Sequence, residues 1–236
     1  MDEFRIKGDK MIKEFNDYLA DKKVIIVGPA YYLRDKQQGD YINSFDVVVR
    51  INEPMHAPIN RQDKIDFGDK TNIIYLPPSL TKIFITRQIK STKGWGKKKV
   101  FTQADIIATY NRWQMRGVEW IVGRDRENQL INFRFNYLNM NEEWVSAIAH
   151  KAGLPRLKAT GILATNHLLE SGLKSLNVVG FDFYQTGYYH AKDNWKTGRP
   201  KIGTEGNPHL KYFKKLVEEN DRLFIDEHLK GILDAN

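Results

Sequence analysis

The chain has 236 residues, enough for one large domain with a sizeable core and short for two. Its 41% hydrophobic and 28% charged content is ordinary for a soluble globular protein, and the lack of any cysteine excludes disulfides, thiolate nucleophiles and cysteine-based zinc or iron–sulfur sites. A formal net charge of +8 points to anionic partners: a nucleotide sugar, an acidic glycan, anionic lipid headgroups or nucleic acid.

Residues 1–21 are expected to form an amphipathic helix packed on the domain that follows, residues 22–236. Phe4, Met11, Phe15, Tyr18 and Leu19 recur at near-helical spacing, while Asp2, Glu3, Asp9 and Glu14 argue against a signal peptide and a membrane-surface helix. No run approaches the roughly 20 apolar residues that span a bilayer. Short apolar runs then predict strands at Val24–Val27, Asp46–Ile51, Asn72–Leu76, Lys99–Thr102, Trp120–Val122 and Leu176–Val179. Helical patterns fall at Asp105–Trp113, Glu142–Lys151, Gly161–Ser171, about His209–Glu219 and Asp226–Leu233. The alternation predicts an α/β fold: one three-layer α/β/α domain with a mostly parallel sheet, Rossmann-like in kind. Such a sheet builds a ligand pocket at the carboxyl ends of its strands.

Two stretches lack periodicity. Lys90–Lys99 sets lysines around Trp95 and two glycines. It reads as a solvated loop, or as an acceptor-binding loop in which Trp95 stacks on a sugar or base and lysines such as Lys97 hold phosphates. Tyr184–Pro208 is rich in glycine and tyrosine and follows the last expected strand, where α/β active sites open.

The residues with chemical potential are few. Gly28 follows a four-residue apolar strand and either makes a plain turn or admits a ligand close to the backbone. No Gly-x-Gly-x-x-Gly or Gly-x-x-x-x-Gly-Lys-Ser/Thr follows, which disfavours the usual NAD and ATP enzymes. Arg50 and Asn52 end a run of three valines. Either Arg50 pairs with Asp46 or Asp66 and Asn52 caps a turn, or Asn52 bonds a nucleotide while Arg50 braces the turn. Thr160-Gly161 opens a helix with Thr160 as expected N-cap, a place where phosphate or ribose oxygens bind readily. His209 opens another helix after Gly206-Asn-Pro and suits acid–base work; His190, in the long loop, is the second candidate. His56, His150, His167 and His228 look structural or exposed. No histidine pair has zinc spacing and no Asp-x-Asp follows a strand. Gly180-Phe-Asp182 offers one acid, and Asp125-Arg-Glu127 reads as a surface turn, so a metal-free reaction is expected.

Taken in order, these pieces resemble glycosyltransferase family 29, the sialyltransferases. The family's large motif is matched by Val27-Gly28, Ile42-Asn43, Asp46 and Val48-Val49-Arg50-Ile51-Asn52. Gly68-Asp69-Lys70-Thr71 stands where the family has Gly-Ser/Thr-Arg/Lys-Thr. The small motif is matched by Ala159-Thr160-Gly161 and Val179-Gly180-Phe181, the aromatic third motif by Tyr188-Tyr189-His190, and the last by His209. The resemblance runs from about Lys22 to the C-terminal helices. It implies inverting transfer of a sialic-acid-like sugar from a CMP-linked donor to a hydroxyl of a glycan or glycolipid, with no cofactor and no metal. In that scheme His209 takes the acceptor proton, and Tyr188 and His190 bond the departing phosphate. Gly28, Pro29, Asn52, Thr160, Gly161, Gly180 and Tyr189 would hold the donor.

The chain departs from the pattern at three places. Pro29 replaces the family's first nucleotide-binding asparagine, Ala159 the serine before Thr160, and Lys214 a glutamate of the last motif. The family's disulfide and membrane anchor have no counterpart here. These departures imply a cytoplasmic protein, from a microbe or a virus-infected cell. Two other readings remain beside the leading one: a transferase that glycosylates DNA bases, supported by the basic charge, and a nucleotide or nucleic-acid binding module that kept the fold without the chemistry.

Overall fold

The computed structural model describes residues 13, 15–51, 61–76, 106–110, 136–140, 142–154, 159–183, 185 and 207–235. Seven strands form one sheet: β1 Lys23–Val27, β2 Val47–Ile51, β3 Ile73–Leu76, β4 Ile106–Tyr110, β5 Asn136–Met140, β6 Ser175–Val179 and β7 Leu223–Ile225. Their order is β5-β4-β3-β2-β1-β6-β7, and every neighbouring pair runs parallel. The helices are α1 Gly39–Asn43, α2 Arg61–Phe67, α3 Glu142–Lys151, α4 Thr160–Leu169, α5 Pro208–Glu219 and α6 Glu227–Asp234, with a 3-10 turn at Tyr31–Leu33 after β1. The chain fills the β2 side of β1 first and then crosses back to place β6 on its other side. The direction of winding therefore reverses between β1 and β6, where parallel sheets open a crevice at their carboxyl ends.

The central strands are apolar on both faces, as a sheet covered on both sides requires; all five residues of β2 are buried. Alternation then sorts them into two cores. Val24, Ile26, Val47, Val49, Ile51, Leu176 and Val178 join α3, α4 and α5 on one face. Ile25, Val27, Val48 and Val179 meet Leu33, Ile42 and Phe67 on the other. This is the expected three-layer arrangement, with a sheet that is wholly parallel among the described residues. Of the expected N-terminal helix, residues 13 and 15–19 are described and are helical, with Phe15 and Leu19 buried in the first core. Among the described residues no helix is long and apolar enough to cross a membrane.

Three strands differ from expectation. Ile106–Tyr110 is β4, between β3 and β5, in place of the helix expected over Asp105–Trp113. Its Ile-Ile-Ala-Thr-Tyr run is dominated by β-branched and aromatic residues, and pairing on both sides overrides the helical spacing of the wider window. β5 lies at the sheet edge, and its Asn-Tyr-Leu-Asn-Met alternation lacks the continuous apolar run of a central strand. β7 has three residues, too few to register as a pattern. The expected strands Lys99–Thr102 and Trp120–Val122 lie outside the described residues.

His167 of α4 is a structural histidine. It stacks on Phe15 (centroids 4.8 Å apart), meets Trp144 edge-on, and shares a 2.7 Å hydrogen bond between Nδ1 and the Tyr75 hydroxyl. Burial lowers its pKa from 6.5 to about 4. Above pH 6.5 the ring is neutral in both folded and unfolded chains, so it adds no pH dependence. Between pH 6.5 and about 4 the unfolded chain takes up a proton that the fold resists, and stability falls as pH falls. The loss is expected to reach about 3 kcal/mol at most. Urea unfolding midpoints measured across that range should show a step that His167→Gln removes.

Candidate active site

The candidate residues converge at the carboxyl edge of the sheet because β1, β2 and β6 end together. Val27 lies in register with both Arg50 and Val179. Beyond them the chain after β1 binds the loop after β6 directly: Gly28 N–H donates to the Val179 carbonyl at 2.8 Å, and Ala30 N–H to that of Gly180 at 3.1 Å. Pro29, between them, has no N–H to offer and is half-buried.

The glycines are required by protein packing. A Cβ on Gly28 would stand 2.3 Å from the Gly180 carbonyl oxygen and 2.6 Å from Phe181 Cδ1. Gly180 adopts φ +75, and a Cβ there would lie 2.5 Å from the Gly28 carbonyl oxygen. At Gly161 a Cβ would lie 2.6 Å from Phe181 Cε2 and Cζ, and 3.1 Å from Ile51 Cδ1. One phenyl ring, Phe181, therefore packs against the end of β1 and the start of α4, and Ile51 at the end of β2 abuts the same Gly161. The space that glycine leaves at Gly28 is filled by Gly180 and Phe181, so admitting a ligand is not what demands glycine there. Gly28→Ala is expected to cost about 1–3 kcal/mol, as overpacking against backbone does, and a shifted denaturation midpoint would report it.

Thr160 is not the N-cap of α4. Ala159 holds that position without a side-chain bond, and Thr160 is the first helical residue, 4% exposed. Alanine cannot cap. The start of α4 thus has no side-chain cap from residue 159 and carries the partial positive charge of a helix start.

His209 is carried by α5. Asn207 caps that helix, its Oδ1 accepting the His209 N–H at 3.0 Å, and Pro208 occupies the first turn, where its missing N–H costs nothing. Four residues on, Phe213 is fully buried with its ring 5.9 Å from Phe181 and 5.7 Å from Phe183. Residues four apart share a helix face, so His209 lies one turn nearer the N-terminus on the face that meets Phe181. Its Nε2 is buried without a hydrogen-bond partner among the described residues, and burial lowers its pKa. A neutral imidazole with a free nitrogen is what a proton acceptor needs near neutral pH.

Arg50, 1% exposed, braces the turn after α2. Its Nε donates to Thr71 Oγ1 at 2.9 Å, and its Nη2 to the carbonyls of Phe67, Gly68 and Lys70 at 2.8, 3.1 and 3.2 Å. Asn43 Oδ1 receives the N–H groups of Asp69 and Lys70, each at 3.1 Å, from the other side. Asp46 accepts the Lys23 N–H instead. The Gly68-Asp69-Lys70-Thr71 motif and its partners Asn43 and Arg50 are thus a scaffold that fixes the exit of β2. Lys214, where a glutamate was expected, donates to the Leu233 carbonyl at 3.0 Å and so ties α5 to the end of α6.

The structure brings Gly28, Pro29, Thr160, Gly161 and Gly180 together around Phe181 and turns the His209 face of α5 toward them. Asn52, Trp95, Lys97, Tyr188, Tyr189 and His190 lie outside the described residues. Phe181 was legible only as a motif match. Its packing role depends on three glycines far apart in sequence.

Three comparisons bear on this geometry. The model of glycosyltransferase family 29 (sialyltransferase) matches residues 10–121. A comparison with curated proteins finds no match. Among solved structures, a mammalian sialyltransferase in complex with Gal-beta-1-3GalNAc-ortho-nitrophenol superposes with a TM-score of 0.57 at 14% identity, over 90% of this chain and 71% of that one. A second mammalian sialyltransferase structure gives 0.56 at 15% identity, over 88% and 69%. At such identity the likeness shows a shared fold. The family match covers β1 to β4, where the Arg50 scaffold and the Gly28 turn lie, and the shared fold covers about nine-tenths of the chain. By that match and that fold, the chain is similar to the sialyltransferases of glycosyltransferase family 29.

Proposed function

We propose that this glycosyltransferase moves a sugar from a CMP-linked, sialic-acid-like donor to a hydroxyl of a glycan or glycolipid acceptor, with inversion and without a metal. The observation that carries the reading is the Phe181 cluster. Phe181 packs on Gly161 at the start of α4 and on Gly28 after β1, and its ring lies 5.9 Å from Phe213, one turn along α5 from His209, which supports a site gathered around this ring. Phosphate oxygens bind at such a helix start, so Thr160 and Gly161 hold the donor phosphate through their backbone. Asn52, directly after β2, bonds the nucleoside portion, beside Gly28, Pro29 and Gly180.

In the transfer, His209 removes the proton from the acceptor hydroxyl as its oxygen bonds to the anomeric carbon. The bond from that carbon to the phosphate oxygen breaks on the opposite face, and CMP departs. Tyr188 and His190 donate to the departing phosphate, where negative charge grows, and Tyr189 lines the donor. Trp95 and Lys97 contact the acceptor. We further propose that residues 1–21 pack on a single catalytic domain and that the protein works in the cytoplasm of a microbe or a virus-infected cell.

A melting-shift panel of CMP, UMP and AMP tests the donor class, followed by incubation with a CMP-activated sugar to detect slow donor hydrolysis. Selective stabilisation by CMP with release of CMP from the sugar is expected. Stabilisation by UMP alone would reassign the donor, and binding without hydrolysis or transfer would indicate a binding module.

A further inference from the structure

Tyr32, on the 3-10 turn after β1, stands outside the Phe181 cluster but touches it at one atom. Its ring stacks on the His228 imidazole, with centroids 3.8 Å apart and planes 23° from parallel. Its hydroxyl accepts the Gly180 N–H at 2.6 Å and donates to Asp226 Oδ2. Asp226 also caps α6, its Oδ1 accepting the Leu229 N–H at 2.8 Å. A single phenol thus joins the turn after β1, the loop after β6 and the start of α6.

The Gly180 amide needs such a partner. β6 pairs with β1 as far as Val27↔Val179 and with β7 as far as Val178↔Ile225, so both ladders stop before Gly180. Gly180 then turns through φ +75, and the next residue is Phe181. A buried N–H left without an acceptor at this point is costly. Burial, with the Asp226 carboxylate adding to it, pushes the phenol pKa well up, so the hydroxyl keeps the proton that it gives to Asp226.

We propose that Tyr32 is a positioning residue of the nucleotide crevice: held by Asp226, its hydroxyl fixes the Gly180 turn and so the Phe181 ring against which Gly28 and Gly161 close. The inference rests on reading that crevice as a nucleotide site. Tyr32 needs no contact with the nucleotide itself; it acts through Gly180 and Phe181. Asp226, Asp182 and Tyr41 are the groups whose charge or position bears on it, Asp226 and Asp182 through their effect on the phenol and Tyr41 through the same Asp226.

Three measurements on Tyr32→Phe and Asp226→Asn test this: amide exchange over residues 179–183, CMP affinity by calorimetry, and thermal midpoint. Tyr32→Phe is expected to speed exchange in that segment and to weaken CMP binding roughly three- to tenfold, the worth of one hydrogen bond. Asp226→Asn keeps one oxygen to cap Leu229 and turns an amide N–H toward the Tyr32 hydroxyl, which can still accept the Gly180 N–H, so CMP affinity should stay near wild type. A purely structural tyrosine would lower the midpoint and leave CMP affinity unchanged. Unchanged exchange over 179–183, or faster exchange with unaltered CMP affinity, overturns the proposal. If the wild-type chain binds no CMP, the donor reading fails separately, and exchange over 179–183 still decides whether Tyr32 fixes the turn.

Discussion

His209→Ala is expected to lower turnover about 10²–10⁴-fold, the usual contribution of one well-placed proton-transfer group. CMP affinity should hold near the wild-type value, because the proposed donor contacts lie at the ends of β1, β2 and β6 and the start of α4 while His209 stands on α5. The split separates a base from a binding residue: loss confined to kcat assigns proton transfer, whereas an equal loss in donor affinity places His209 in the grip. The pH profile adds a second readout. Burial lowers the pKa of His209, and a base is active when deprotonated, so the acid limb of kcat/KM should have its midpoint below 6.5. A midpoint above 6.5, or wild-type turnover in His209→Ala, removes the assignment.

Arg50→Met should cost about 3–5 kcal/mol of stability, among the largest single losses available to this chain. The guanidinium is buried and serves three carbonyls and one hydroxyl on the turn at residues 67–71. Methionine fills much of the volume and leaves all four acceptors without that donor. Arg50→Lys should not rescue the loss, since a single ammonium cannot reproduce a planar fork directed at several oxygens. Urea unfolding of the three proteins at neutral pH checks both statements. A loss below about 1 kcal/mol in Arg50→Met would show that water or neighbouring donors replace the fork. Because Arg50 precedes Ile51 at the exit of β2, the same variant is expected to weaken CMP binding by displacing the strand end, with its effect on stability the larger.

The fold was legible where burial on two faces left no alternative. β1, β2, β3 and β6 are short, mostly apolar runs, and each appears within one residue of its expected boundaries. α3 appears over the residues expected, and α5 opens at Pro208, one residue before His209. β4 was misread because Ile-Ile-Ala-Thr-Tyr sits in a window that also fits a helix, and only its two neighbours in the sheet decide the matter. β7 escaped notice because its three residues owe their strand geometry to pairing with β6.

The site was legible as a set of small residues at strand ends, but for a different reason than the one that selects them. Gly28, Gly161 and Gly180 are small because Phe181 and two backbones occupy the space, a fact no local window contains. Arg50 does brace the turn at residues 67–71, while Asn52, the other half of that reading, lies outside the described residues. The N-cap of α4 was misassigned because threonine is the better capping residue, yet the helix begins at Thr160 and leaves alanine at the cap. Tyr32 carried no signal at all, since its partners Gly180 and Asp226 come from the far end of the chain.

The place of β1 in the sheet also sets an order of events during synthesis. β1 pairs with β2 as soon as both have left the ribosome, but its other edge, from Lys23 to Val27, waits for Ser175 to Val179. Until then the nascent chain holds an apolar strand edge without a partner, the kind of template that recruits other chains. Pairing over so long a sequence separation is slow, because the loop must close before any contact rewards it. The crevice between β1 and β6 therefore forms among the last features of the fold.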